Sequence, residues 1–189
     1  MKRLAALLVI ALSAQAFAWE AVTTQAGLAE QAALSSRLHK RLVTLGFAGG
    51  LFEPLTIPPA DAPALIQDLH LISPSQGAVP DARGRQTALA WIAAGAALAD
   101  IPVSHAANHF YDPATHKGWE RPGLGLRGMM LHIGVPERGV PAPDWVTDKQ
   151  NPFNLAGFLD QYAKAVTAAT PGERSRAMAG ALVAAGAML

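Results

Sequence analysis

The sequence predicts an all-α fold, and three observations carry the prediction. Apolar residues recur at spacings of three and four through most of the chain, the period of one helix face. Helix-start residues stand ahead of several of these runs, with Thr170, Pro171 and Glu173 the clearest set. No segment shows the sustained two-residue alternation of a strand. The composition agrees. With 51% hydrophobic and 15% charged residues over 189 positions, the chain suits one core-rich domain and not a disordered segment.

Residues 1–18 stand apart from the rest. Lys2 and Arg3 form a basic start, Leu4 to Leu12 an apolar run, and Ala16-Phe17-Ala18 a small-residue cleavage signal. This is the pattern of a secretory signal peptide, and the apolar run is too short to span a bilayer. The mature chain is expected to begin at Trp19, secreted or periplasmic, as a single helical domain over 19–189. Loss of Lys2 and Arg3 takes the formal charge from +1 to −1. That balance gives no electrostatic case for nucleic acid or an anionic membrane surface. No later stretch is apolar and long enough for a transmembrane helix. There are no cysteines, so disulfides and thiolate chemistry are excluded, and any metal must take nitrogen and oxygen ligands.

The elements follow in order. Thr23-Thr24 can cap a long amphipathic helix carrying Leu28, Leu34, Leu38, Leu42 and Leu45, stopped near Gly46 and Gly49-Gly50. His39, among charged neighbours, reads as a surface residue. Residues 51–63, with four prolines, predict an irregular loop. A short helix follows over Ala64 to Leu71, with His70 at its surface or boundary. Asp81 can cap a third helix running to Ala99, buried on two sides. Gly95 suits close helix approach there, and Pro102 should end or bend the helix. Residues 120–153 are rich in glycine and proline and predict a surface excursion, with one short turn near Leu126 to His132 and His132 packed. Asn154 can cap a fourth helix with Leu155, Phe158, Leu159, Tyr162 and Val166 on one stripe. Thr170 caps a fifth, with Met178, Leu182, Ala185 and Leu189 on its face. The last stripe ends in mid-pattern at Leu189, which leads us to expect a truncated product.

The chemistry concentrates between Asp100 and Trp119. His109, Asp112 and His116 are spaced H-x2-D-x3-H, and Asp100 lies nine residues upstream of His109. In a cysteine-free exported chain these are the residue types that bind zinc. His105 and His109 would share a face if their segment is helical, a second possible ligand pair. The structural alternative is a loop anchored by Phe110, Tyr111 and Trp119, whose polar residues cap helix ends.

Trp19 at a signal cleavage site, Trp91-Ile92 with Gly95-Ala96 and Asp100, and then Asn108-His109-Phe110-Tyr111-Asp112-Pro113 together resemble the zinc-dependent phospholipase C and P1 nuclease family. The last run is the most specific part of the match. The resemblance implies a multi-helix bundle around up to three Zn2+ ions that cleaves phosphodiester bonds, phospholipid head groups being one substrate class. It implies that the amino group and carbonyl of Trp19 bind one zinc after cleavage. His109 would bind another, joined by Asp100, which is also the candidate base for the attacking water. Clustered zinc acidifies a bound water and neutralises phosphate charge.

Two departures bear on this. The family carries a histidine ligand in its first helix, and Gln25 stands at the equivalent place here; an amide is a poor zinc ligand beside imidazole. The remaining family ligands lie in a later helix as a His-x-x-x-Asp pair. Arg176 to Leu189 looks like the lead-in to that helix, so the bundle is expected to be incomplete at its C-terminus. His105 or His116 could supply a missing ligand. The expected function is therefore an exported zinc-dependent phosphodiester hydrolase, or its truncated N-terminal part. The alternatives are a non-catalytic periplasmic helical module that has lost the zinc cluster and an unrelated helical domain.

Overall fold

Alanine and glycine decide how the helices of this chain meet. The computed structural model describes residues 24–72, 80–120 and 137–189. The expected signal peptide, Trp19, Thr23, and the expected turn with His132 lie outside the described residues. The described part is mostly helical, with one two-stranded antiparallel ribbon.

Helix α1 spans Ala26–Ser35 and α2 Leu38–Thr44. The sequence predicts one helix here, and the structure breaks it at Ser36. The Ser36 hydroxyl donates to Ala33 O at 2.7 Å and accepts from Leu38 N at 3.0 Å, so the side chain replaces the backbone ladder. The break also splits the leucine stripe. Leu42 is buried, but Leu28 and Leu34 are exposed at 57% and 49%. Helix α1 instead buries Ala26, Ala29 and Ala33, whose small side chains let it lie close against the central helix. Gln25 precedes α1 without capping it.

A 3-10 turn at Gly50–Phe52 leads into β1, Pro54–Thr56, which pairs with β2, Arg85–Thr87, with Leu55 opposite Gln86. The expected irregular loop thus contains a strand. Three residues are too few to show alternation, which is why the sequence hides it. Helix α3 spans Pro63–Ile72, as expected within a residue or so, and His70 is exposed. His39 is exposed as well; its Nδ1 accepts from Leu51 N at 3.4 Å.

Helix α4, Ala88–Leu98, is the centre of the fold. It begins later than the sequence predicts. Asp81 does not cap it; its carboxylate takes Arg83 N and Arg85 N, each at 2.9 Å, and so shapes the turn before β2. Thr87 is the cap, accepting from Ala90 N at 3.2 Å. Trp91 to Leu98 are all buried. The Trp91 indole N–H donates to Leu55 O at 3.1 Å, which ties the helix to the ribbon.

Helix α5 is short, Ala142–Trp145, α6 spans Leu155–Thr167, and α7 spans Pro171–Met188. Helices α4 and α7 cross with their backbones in contact. A Cβ on Gly95 would lie 2.0 Å from Val183 O, and one on Gly186 would lie 1.9 Å from Ile92 O. Both helices are buried on most sides by this crossing, with α1 and α6 packed outside it. The start of α7 is as the sequence predicts. Thr170 Oγ1 accepts from Glu173 N and Glu173 Oε2 accepts from Thr170 N, both at 3.2 Å. Its expected stripe is only partly inside: Met178 and Leu182 are buried and Leu189 is 78% exposed.

Helix α6 is capped by Asn154, whose Oδ1 accepts from Gly157 N at 2.9 Å. Its expected stripe turns out to be split. Ala165 is buried and Tyr162 packs on the core, whereas Leu155, Leu159 and Val166 face solvent. Contact with α7 follows small residues: Gly180 of α7 meets the Gln161 side chain. Among the described residues no single helix is long and apolar enough to cross a membrane.

Candidate functional site

The chain leaves α4 at Leu98, turns through Ala99 and Asp100, and enters a 3-10 turn over Val103–His109. That path folds His109 back onto the end of α4. His109 Nε2 lies 3.3 Å from Asp100 Oδ1 and 3.2 Å from Ala99 O. A nitrogen facing both a carboxylate and a carbonyl is satisfied as an N–H donor shared between them. Asp100 also accepts from the first helix: Gln25 Nε2 donates to Asp100 Oδ2 at 3.1 Å, across 75 residues. Side-chain exposure is 21% for Asp100 and 30% for His109, so the cluster is half-buried and open on one side.

His105 lies in the same turn. Burial pushes its pKa below the ordinary value near 6.5, the charge of His109 pushes it further, and Asp100 opposes both. Its ring meets the Trp145 ring edge-on, with centroids 5.1 Å apart. Trp145 belongs to α5, in a region the sequence predicts as surface excursion. Only the Pro141-Ala142-Pro143 start signal hints at a helix there.

The turn is held from the other side as well. Buried Asn108 accepts from Val140 N at 2.8 Å through Oδ1. Gly139 presses on Ala107 O, which a Cβ at Gly139 would approach to 2.0 Å. Gly139 N donates to Trp119 O at 3.0 Å, and the Trp119 ring lies 4.9 Å from that of Phe110. The conformation of Val103–His109 is therefore fixed by packing and not by the histidines alone.

The other predicted ligands fold away into their own turn. Asp112 accepts from Thr115 Oγ1 at 2.7 Å and Ala114 N at 2.9 Å, and these bonds hold its carboxyl below the usual carboxylate range. His116 Nδ1 and the Tyr111 hydroxyl are hydrogen-bonded at 2.7 Å on the exposed tip, and His116 itself has a left-handed backbone, φ 57°. The structure thus brings Asp100 and His109 together with Gln25, while Asp112 closes its own turn and His116 pairs with Tyr111, neither of them capping a helix end. Among the described residues no group of three or more His, Asp or Glu side chains is placed to hold a metal.

The Asp100 and His109 atoms are spaced as in a hydrogen bond, and one edge of a zinc shell has the same length. Ligand atoms on one tetrahedral zinc stand about 3.3 Å apart, given zinc–ligand bonds of about 2.0–2.1 Å. The Asp100–His109 separation is 3.3 Å. A zinc site wants three or four protein ligands, so these residues fit one edge of a shell whose completion needs a further donor. Two clefts of about 520 and 500 Å3 open elsewhere, along α6–α7 and beside Phe47 and Arg174, and contain none of these residues. Comparison with family models, curated proteins and solved structures found no match.

Proposed function

We propose that this chain is a zinc-binding helical protein of the phospholipase C and P1 nuclease type, whose chemistry is phosphodiester hydrolysis after export. One observation supports the reading above the others. Gln25, Asp100 and His109, which the resemblance names in separate stretches of sequence, meet within hydrogen-bond distance at the end of α4. In this reading Asp100 and His109 hold a metal edge, and the amino terminus at Trp19 supplies ligands after signal cleavage. Bound zinc would acidify a water and neutralise phosphate charge. Asp100 is also the residue whose carboxylate would take the proton of the attacking water. The 3-10 turn, clamped by Asn108 and Gly139, holds His109 in place while this happens. Phospholipid head groups are one substrate class.

The test is elemental analysis of the exported, signal-processed protein, beside hydrolysis of a chromogenic phosphodiester. Zinc that is lost in His109→Ala and in Asp100→Asn supports the reading. Metal content equal in wild type and His109→Ala, without hydrolysis, overturns it.

A second reading is a non-catalytic exported helical module. The Gln25 amide donating to Asp100 favours it, because a hydrogen-bond donor occupies the carboxylate where the family resemblance calls for an imidazole ligand. It requires a stably folded product whose metal content does not respond to His109→Ala.

A further inference from the structure

Gln25 Oε1 is buried and has no hydrogen-bond partner, alone in this among the side-chain atoms of the described residues. A buried amide oxygen left without a donor is uncommon and costly. Its own nitrogen is well used, donating to Asp100 Oδ2 at 3.1 Å. The carboxamide therefore sits beside an Asp–His pair with one end satisfied and the other orphaned.

The two ends of a carboxamide have nearly the same shape, so partners decide which end faces which neighbour. Without a cation the N–H end must face Asp100, because oxygen against carboxylate oxygen repels. A divalent cation beside Asp100 and His109 inverts that preference. The oxygen end becomes a ligand, and the orphaned atom gains a partner. Amide oxygens are accepted ligands for hard cations.

We propose that Gln25 is the third ligand of a divalent-cation site with Asp100 and His109, its carboxamide turning over on binding so that Oε1 meets the ion. One nitrogen and two oxygens make a harder donor set than two imidazoles and a carboxylate, which moves the site toward Mn2+ and away from strong zinc preference. An ion bound at His109 Nε2 requires the ring hydrogen to move to Nδ1, and the contact with Ala99 O is given up. The inference rests on the reading of Asp100 and His109 as metal ligands.

The test uses the signal-processed full chain. Mn2+ binding is read from the electron paramagnetic resonance signal of the free ion, and Zn2+ binding by competition with a chromogenic chelator. In wild type, Mn2+ binding depends on His109. Gln25→Ala weakens it by about tenfold, as loss of a ligand should. Gln25→His raises the preference for zinc over manganese by about tenfold or more. Binding that is unchanged or tighter in Gln25→Ala overturns this inference alone, since the amide would then only occupy Asp100. Wild type that binds neither ion in a His109-dependent way overturns the metal reading together with it. Gln25→His adds little volume, so its change in preference remains readable if Gln25→Ala proves unstable.

Discussion

Asp100 Oδ1 stands 3.3 Å from His109 Nε2, and the same carboxylate takes the Gln25 amide on its other oxygen at 3.1 Å. Asp100 is thus the joint between the first helix, the end of the central helix and the turn that follows. Asp100→Ala removes both acceptors at once. The Gln25 amide N–H then loses its acceptor, while His109 Nε2 keeps Ala99 O. A buried donor without an acceptor costs about 1–3 kcal/mol. At this half-exposed position solvent screens part of that, so a loss of about 1 kcal/mol is expected in urea unfolding, with the slope unchanged. Equal midpoints for the variant and wild type would show that the three residues touch without holding the fold.

Gly95 and Gly186 set how near α4 and α7 can come. Each places its missing Cβ within about 2 Å of a carbonyl oxygen on the other helix, Val183 O for Gly95 and Ile92 O for Gly186. Neither oxygen can move without its helix, so a methyl group must force the backbones apart. Gly95→Ala and Gly186→Ala are each expected to lose about 3 kcal/mol or more, the upper end of overpacking costs. Gly172→Ala is the control. It lies exposed in the first turn of α7 with nothing within 4 Å of its Cβ position, and helix propensity predicts a gain of about 0.5 kcal/mol. Thermal melts of the three variants decide the matter. A Gly95→Ala protein as stable as Gly172→Ala would mean the helices are not in backbone contact.

Much of this was legible in the sequence, and the parts that were not share physical causes. Capping residues that act on their own next turn, Thr170 with Glu173 and Asn154 with Gly157, are local, so spacing alone finds them. Gly95 was legible because a glycine weakens the middle of an apolar helix, and close approach of a second backbone is what compensates. The break at Ser36 was not, since a serine hydroxyl can serve a helix or end it, and the choice depends on what α1 packs against. The leucine stripes misled for a related reason. Helices that meet through alanine and glycine bury those faces, which leaves Leu28, Leu34 and Leu159 outside. At the candidate site, the family resemblance singled out His109 and Asp100, which lie 3.3 Å apart, whereas residue type and spacing alone left a purely structural loop as the alternative. Gln25 read as a ligand lost, and only its place in space shows it as the donor to Asp100. Trp145 could not be found as the neighbour of His105, because two elements distant in sequence must fold before the rings meet.

His105 makes stability depend on pH in a definite direction. Burial first, and the charge of His109 second, hold its folded pKa below the value near 6.5 that it has when unfolded. Above that value both states are neutral and His105 has no effect. As pH falls below about 6.5 the unfolded chain takes the proton first, so stability declines until the folded group also titrates. His105→Phe retains a ring for the edge-on contact with Trp145 and cannot titrate. Urea midpoints measured between pH 7.5 and pH 5 are expected to fall less steeply in His105→Phe than in wild type, with the two curves closest in slope at the alkaline end. In an Asp100→Asn background the difference is expected to widen, because the charge that opposes the lowered pKa is gone. Parallel profiles for wild type and His105→Phe would mean that the imidazole is as free to protonate in the folded protein as in the unfolded chain, and that Trp145 does not cover it.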